Sequence, residues 1–172
     1  MALNKWSVFL GNVLLILCVC VDASDEPVVG NLKRVVDGDT FYLKTEANNA
    51  IKVRLAFIDA PELNQPFGKD AKAFLKKIEG QRVTIDVKSK DRYGRHVAIL
   101  FHRDADINLL MIENGYAWVY TKYLNYASIP MRNKYLHAES LAKENELGLW
   151  QTKDYVPPWE WRKKSKKGYR AN

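Results

Sequence analysis

An α+β fold, mainly β, with a five-stranded barrel and three helices is what this chain predicts, on three observations. Apolar residues alternate with period two through three early segments and two later ones, a helical pattern separates the two groups, and two more helical patterns follow. A closed antiparallel meander with a helix between its third and fourth strands has the order of an OB-type barrel.

The elements follow in turn. Val28 to Val36 is rich in β-branched and apolar residues, and Asp37-Gly38-Asp39 marks a tight turn. Thr40 to Leu43 resumes as a strand, and Asn48-Asn49 turns the chain again. In the third segment Ile51, Val53, Leu55 and Phe57 share one face. Ala71, Phe74, Leu75 and Ile78 then recur at helical spacing, with Gly80 placed as a C-terminal cap. Val83, Ile85 and Val87 make a fourth strand, Tyr93-Gly94 a turn, and Val97, Ile99 and Phe101 a fifth. A second helix is predicted from about Asp106 to Asn114. A third starts near Pro130, a favoured first-turn residue, and stops at Gly148.

The chain has 172 residues, 47% hydrophobic and 27% charged, a composition that excludes a disordered protein. Its 27 Lys and Arg against 20 Asp and Glu leave a net charge of +7. That surplus suits a polyanion, either nucleic acid or an anionic membrane, and it also suits plain solubility. At the N-terminus, Lys5 precedes the apolar run Val13 to Val21, and Val21-Asp22-Ala23 offers a cleavage site. Residues 1–23 therefore read as a signal peptide, with an uncleaved membrane anchor as the alternative. Both cysteines, Cys18 and Cys20, lie inside this segment, so a chain cut after Ala23 has no disulfide. Residues 24–156 form the predicted domain. Residues 157–172, in which Trp159, Trp161 and Tyr169 interleave with Lys163, Lys164, Lys166 and Lys167, read as a basic tail. Such a tail is either a solvated end or a strip that stacks on bases while its cations follow phosphates.

Two acidic clusters carry chemistry. Asp37-Gly38-Asp39-Thr40 sits at the first turn, and Ile58-Asp59-Ala60-Pro61-Glu62 at the end of the third strand. Hard divalent cations take several oxygen ligands, and Asp39 and Asp59 could supply two. Arg54 shares a strand with Asp59, and Asp91-Arg92-Tyr93-Gly94-Arg95 occupies a later turn. Arg54 and Asp59 have opposite parity, so the strand must bulge or end between them if both serve one site. His96, His102 and His137 share no metal-ligand spacing.

These clusters, with Arg54-Leu55, resemble the staphylococcal nuclease family in order and separation, from about Val28 to Trp150. The resemblance implies a calcium-dependent endonuclease acting on DNA and RNA and leaving 3′-phosphate and 5′-hydroxyl ends. It implies Asp39, Asp59 and the carbonyl of Ala60 as calcium ligands, and Glu62 as the base or the residue that orients water. Arg54 and Arg95 correspond to the pair on the scissile phosphate. Arg92, Tyr93, Trp118 and Tyr120 correspond to positions at the substrate, Trp118 standing where the family has a tyrosine. Ala60 replaces a threonine whose backbone carbonyl is the ligand, and the loop after Glu62 is shorter. The ending Pro157-Pro158-Trp159-Glu160-Trp161-Arg162 resembles exported bacterial members.

Each residue also has a plainer reading. Arg54 could be a surface arginine, Glu62 a helix-entry carboxylate, and Arg95 a partner for Asp91 across its turn. The expectation from the whole set is a monomeric enzyme, periplasmic or extracellular, with no stable membrane association once the signal is cut. The competing expectation is a non-catalytic OB module that only binds nucleic acid.

Overall fold

In the computed structural model, which describes residues 26–170, five strands close into a barrel. They are β1 (Val28–Val35), β2 (Thr40–Thr45), β3 (Ala50–Leu55), β5 (Arg82–Lys90) and β6 (His96–His102); the two-residue β4 (Ile58–Asp59) follows β3. The strand order is β3-β2-β1-β5-β6, antiparallel throughout, and a parallel pairing of β3 with β6 seals it. That seal matches Val53 with His96, Arg54 with Val97 and Leu55 with Ala98. The predicted signal peptide lies outside the described residues.

Alternation fills the interior. Leu32, Phe41, Leu43, Val53, Leu55, Ile85 and Leu100 are wholly buried. Each such side chain contributes about 1.5–3 kcal/mol on burial, so this layer is the main source of the barrel's stability. β1 and β5 each carry a register shift, at Leu32/Arg34 and Val87/Ser89, and such bulges add the bend a small barrel needs.

The third strand is shorter than its apolar pattern suggests. It ends at Leu55, and Phe57 takes a positive φ of 63° although its side chain is buried. A left-handed backbone at a bulky residue is rare and persists only where its surroundings hold it. Here Asn108 does part of the holding. It is fully buried, accepts from the Leu100 amide at 3.0 Å and donates to the Ala56 and Ala98 carbonyls at 2.9 and 3.3 Å. A buried amide so satisfied fixes its neighbours in one arrangement. The break re-aims the chain, and β4 leaves the barrel to pair with β8 (Trp118–Val119). This resolves the parity conflict between Arg54 and Asp59.

Around the barrel lie α1 (Gly68–Lys76), a short β7 (Ala105–Asp106) and α2 (Ile107–Glu113), which Asp106 caps by accepting from the Leu109 amide. A brief α3 (Thr121–Leu124) leads to α4 (Ile129–Glu144), capped by Ser128. Tyr135, fully buried on α4, donates its hydroxyl to Asp106 at 2.8 Å and so ties α4 to the N-terminus of α2. Three helices were expected; α3 and α5 (Pro158–Arg170) are additional. α5 forms where the sequence reads as a tail, because Pro158 opens its first turn and Trp159 packs against a second small core. That core is Trp118, Ala142, Leu149 and Trp150. Among the described residues no helix is long and apolar enough to cross a membrane.

Candidate active site

The acidic turn between β1 and β2 sits directly on the loop after β4. Gly38 allows this, since a Cβ there would lie 2.7 Å from that of Ala60 and 2.8 Å from that of Ala71. Asp37 accepts the Asp39 amide at 3.1 Å and shapes the turn. Asp39, buried, then accepts from the Thr40 hydroxyl at 2.9 Å and from the Ala60 amide at 3.1 Å.

Arg54 joins the two acidic segments. Its Nη2 lies 3.2 Å from Asp39 and 2.7 Å from Asp59, and its Nη1 donates to the Leu55 and Ile58 carbonyls at 2.9 and 3.0 Å. This is no surface arginine: its side chain is 13% exposed. Burial opposes its charge, but Asp39 and Asp59 outweigh that and hold it more firmly protonated than usual. Burial pushes the Asp59 carboxyl up, and Asp39 adds to the push over the opposing pull of Arg162 and Arg54. Asp37 is driven up to about 6, by burial first and by the charge of Asp39 second. Burial first, and crowding of the carboxylates second, thus oppose ionisation of these acids.

Glu62 enters from the loop that follows. α1 begins only at Gly68, so Glu62 is not a helix-entry carboxylate. Gly68 packs where a Cβ would fall 1.8 Å from the Glu62 carbonyl oxygen, and Gln65 accepts the Glu62 amide at 3.2 Å while donating to Val156 at 2.5 Å. The Glu62 carboxylate itself accepts from Arg162 of α5 at 2.7 Å. Arg162 also reaches both oxygens of Asp59, at 3.2 and 2.7 Å. Burial would weaken the Arg162 charge, yet its bonds to Asp59 and Glu62 raise its affinity for the proton.

The remaining expected residues stand apart from these contacts. Arg95 donates through Nε to Asp91 at 2.7 Å, as the plainer reading had it, on the turn that leads into β6. Arg92 and Tyr93 are exposed on the same turn and pair with each other at 2.7 Å. Trp118 is buried edge-on against Trp150, Tyr155 and Trp159, and its backbone pairs with Asp59. Tyr120 lies parallel to Trp159, with ring centroids 5.3 Å apart, and meets Tyr123 edge-on.

The donors fit a hard cation. Asp39 and Asp59 share one guanidinium nitrogen, so their oxygens lie close together, and every nearby candidate ligand is oxygen. Among the described residues Asp39, Asp59 and Glu62 pair with Arg54 and Arg162, and Asp37 adds a fourth carboxyl beside Asp39, an imbalance that a divalent ion would correct. Among the described residues no three His, Cys, Asp or Glu side chains converge as a metal cluster. Protein carboxylates would therefore fill few positions, leaving the rest to carbonyls such as that of Ala60 and to water.

Residues 52–152 match the sequence model of the staphylococcal nuclease homologue family. The chain belongs to this family. A protein of Haemophilus influenzae named "uncharacterized endonuclease" is 37% identical over 160 residues, covering 92% of this chain and 86% of its own. A protein of the same name from Escherichia coli O157:H7 is 35% identical over 135 residues, covering 77% and 84%. The micrococcal nuclease of Shigella flexneri is 34% identical over 147 residues, covering 80% and 82%.

In this staphylococcal nuclease homologue, sequence reasoning missed Arg162 and Gln65 as neighbours of Glu62. Arg162 stands first in a run of cations, which hides it. Its spacing from Trp159 was the usable signal, because residues three apart share a helix face.

Proposed function

We propose that the protein is a calcium-dependent endonuclease that hydrolyses phosphodiester bonds of DNA and RNA, leaving 3′-phosphate and 5′-hydroxyl ends. The observation that carries this reading is the convergence of Asp39, Arg54, Asp59 and Glu62 from three separate chain segments. Family membership and the names of the relatives support a nuclease.

Each side chain has a task that its chemistry suits. Calcium held by Asp39, Asp59 and the Ala60 carbonyl would supply positive charge beside the phosphate. Glu62 takes or orients a proton of the attacking water, whose oxygen bonds to phosphorus as the bond to the 5′-oxygen breaks. Arg54 and Arg95 present planar guanidinium groups to the phosphoryl oxygens, where negative charge grows. The 5′-oxygen takes up a proton from solvent as it leaves, giving the 5′-hydroxyl, and Glu62 returns its proton to solvent.

The deciding experiment is cleavage of plasmid and of RNA with calcium and then with a chelator. Cleavage should stop on chelation and return with calcium. Asp39→Ala should need more calcium than the parent, with part of the activity recovered at high concentration. Chelator-insensitive cleavage would remove calcium from the reading. Binding without cleavage would leave only a nucleic-acid-binding OB module.

We further propose export to the periplasm or the medium, on the strength of the N-terminal charge, apolar run and cleavage site. The mass of the protein recovered from its native compartment should correspond to a chain starting at or near Ser24. A full-length mass in the membrane fraction would replace this with an anchored protein.

A further inference from the structure

The C-terminal helix is fastened to the site at several points, more than a solvated end requires. Trp159 stacks on Tyr120 and packs on the second core. Trp161 donates to Asn64 at 3.2 Å, and Val156 accepts from Gln65. Asn64 and Gln65 both lie in the loop that carries Glu62. The product of this docking is the placement of Arg162 between Asp59 and Glu62.

Glu62 needs such a partner. Arg54 is set by barrel strand β3 and Asp59 by the pairing of β4 with β8, whereas Glu62 sits on an irregular loop, and its side chain is 37% exposed. A carboxylate on a loop keeps many rotamers unless something holds it. Arg162 bonds Oε1 of Glu62, and Oε2 has no hydrogen-bond partner among the described residues, so it is available to a reacting water. The same guanidinium grips Asp59 in a forked arrangement, so the positions of the two carboxylates are fixed relative to one another. A carboxylate has about four lone-pair sites. Asp59 accepts three N–H contacts, from Arg54 and Arg162, and so keeps room for one more ligand.

We propose that Arg162 is a positioning residue for the reaction, acting through Glu62, and that α5 is a wall of the active site. This rests on the endonuclease reading above. A lysine cannot span both carboxylates in the same fork, so the geometry of the guanidinium matters beyond its charge.

The test is a double-mutant cycle in the full-length mature chain, with Arg162→Ala, Arg162→Lys, Glu62→Gln and each pair. Single-turnover cleavage, KM and tryptophan emission are measured for each. Removing a group that orients a reacting ligand typically lowers activity about 10–100-fold. Arg162→Ala should therefore lower the cleavage rate by about that factor with KM near the parental value, and Arg162→Lys should recover part of it. In the Glu62→Gln background the further loss should shrink to within about twofold, because the effect runs through the carboxylate. Unchanged tryptophan emission would show that α5 stays docked; where Arg162→Ala undocks it, Arg162→Lys carries the comparison. Equal losses in both backgrounds would make Arg162 a purely structural anchor and overturn the proposal. A faster Arg162→Ala would overturn it too, making α5 a latch that blocks the site. A parental chain that binds but does not cut nucleic acid fails the endonuclease reading, and the positioning role falls with it.

Discussion

Glu62→Gln should cut nucleic acid about 10²–10⁴-fold more slowly than the parent while binding it almost equally well. Glutamine keeps the size of the side chain and an oxygen that can accept from Arg162, so the loop should hold its shape. What disappears is the basicity that a water must meet in the transition state. Stability should change little, because Glu62 is partly exposed and exposed ion pairs contribute about 0–1 kcal/mol. Separate measurements of single-turnover rate and of affinity check this. A variant that cuts at the parental rate would remove Glu62 from the mechanism and leave the fold untouched.

Arg54→Ala should harm both the reaction and the fold. It strips a largely buried guanidinium from Asp39, Asp59 and two backbone carbonyls at once. Breaking a buried pair by deleting one member costs about 3–5 kcal/mol, because the other charge is left uncompensated. Denaturant unfolding of the metal-free protein should show a loss of that size. In the reaction, losing one donor preorganised toward the growing charge costs on the order of 10²–10³ in turnover. Arg54→Lys separates the two effects. Its ammonium can still pair with Asp59, so most of the stability should remain, but it cannot present a fork to a phosphate. A lysine variant with parental turnover would show that only the charge of Arg54 matters.

How much of this was legible in the sequence depended on periodicity. The five barrel strands carry alternation that located them, and Val53, Leu55, Val83 and Ile85 are buried as it implies; in β6, however, Ala98, Ile99 and Leu100 are buried in succession while Val97 and Phe101 are only partly covered. The break at Phe57 was not visible, because Ala56-Phe57-Ile58 continues an apolar run and nothing local marks a left-handed turn. Only the parity of Arg54 and Asp59 required it. α3 is four residues long, too short for a helical pattern to register. α5 was obscured by composition: two prolines followed by a dense cationic run look like a solvated end. Pro158 is nevertheless a sound helix start, and Trp159 and Arg162 mark the face that docks. The carboxylates and Arg54 were readable because they lie in short ordered clusters. Arg162 was not, because its partners are about a hundred residues away and no local rule connects them.

That separation orders the birth of the enzyme. Chains emerge from the ribosome N-terminus first, at about 5–20 residues per second, and domains organise as their segments become available. All five barrel strands are complete by His102, whereas the bond from Arg162 to Asp59 spans 103 positions and waits for the end of synthesis. A nascent chain that already carries every barrel strand and all the acidic residues of the cleft therefore still lacks the guanidinium from α5.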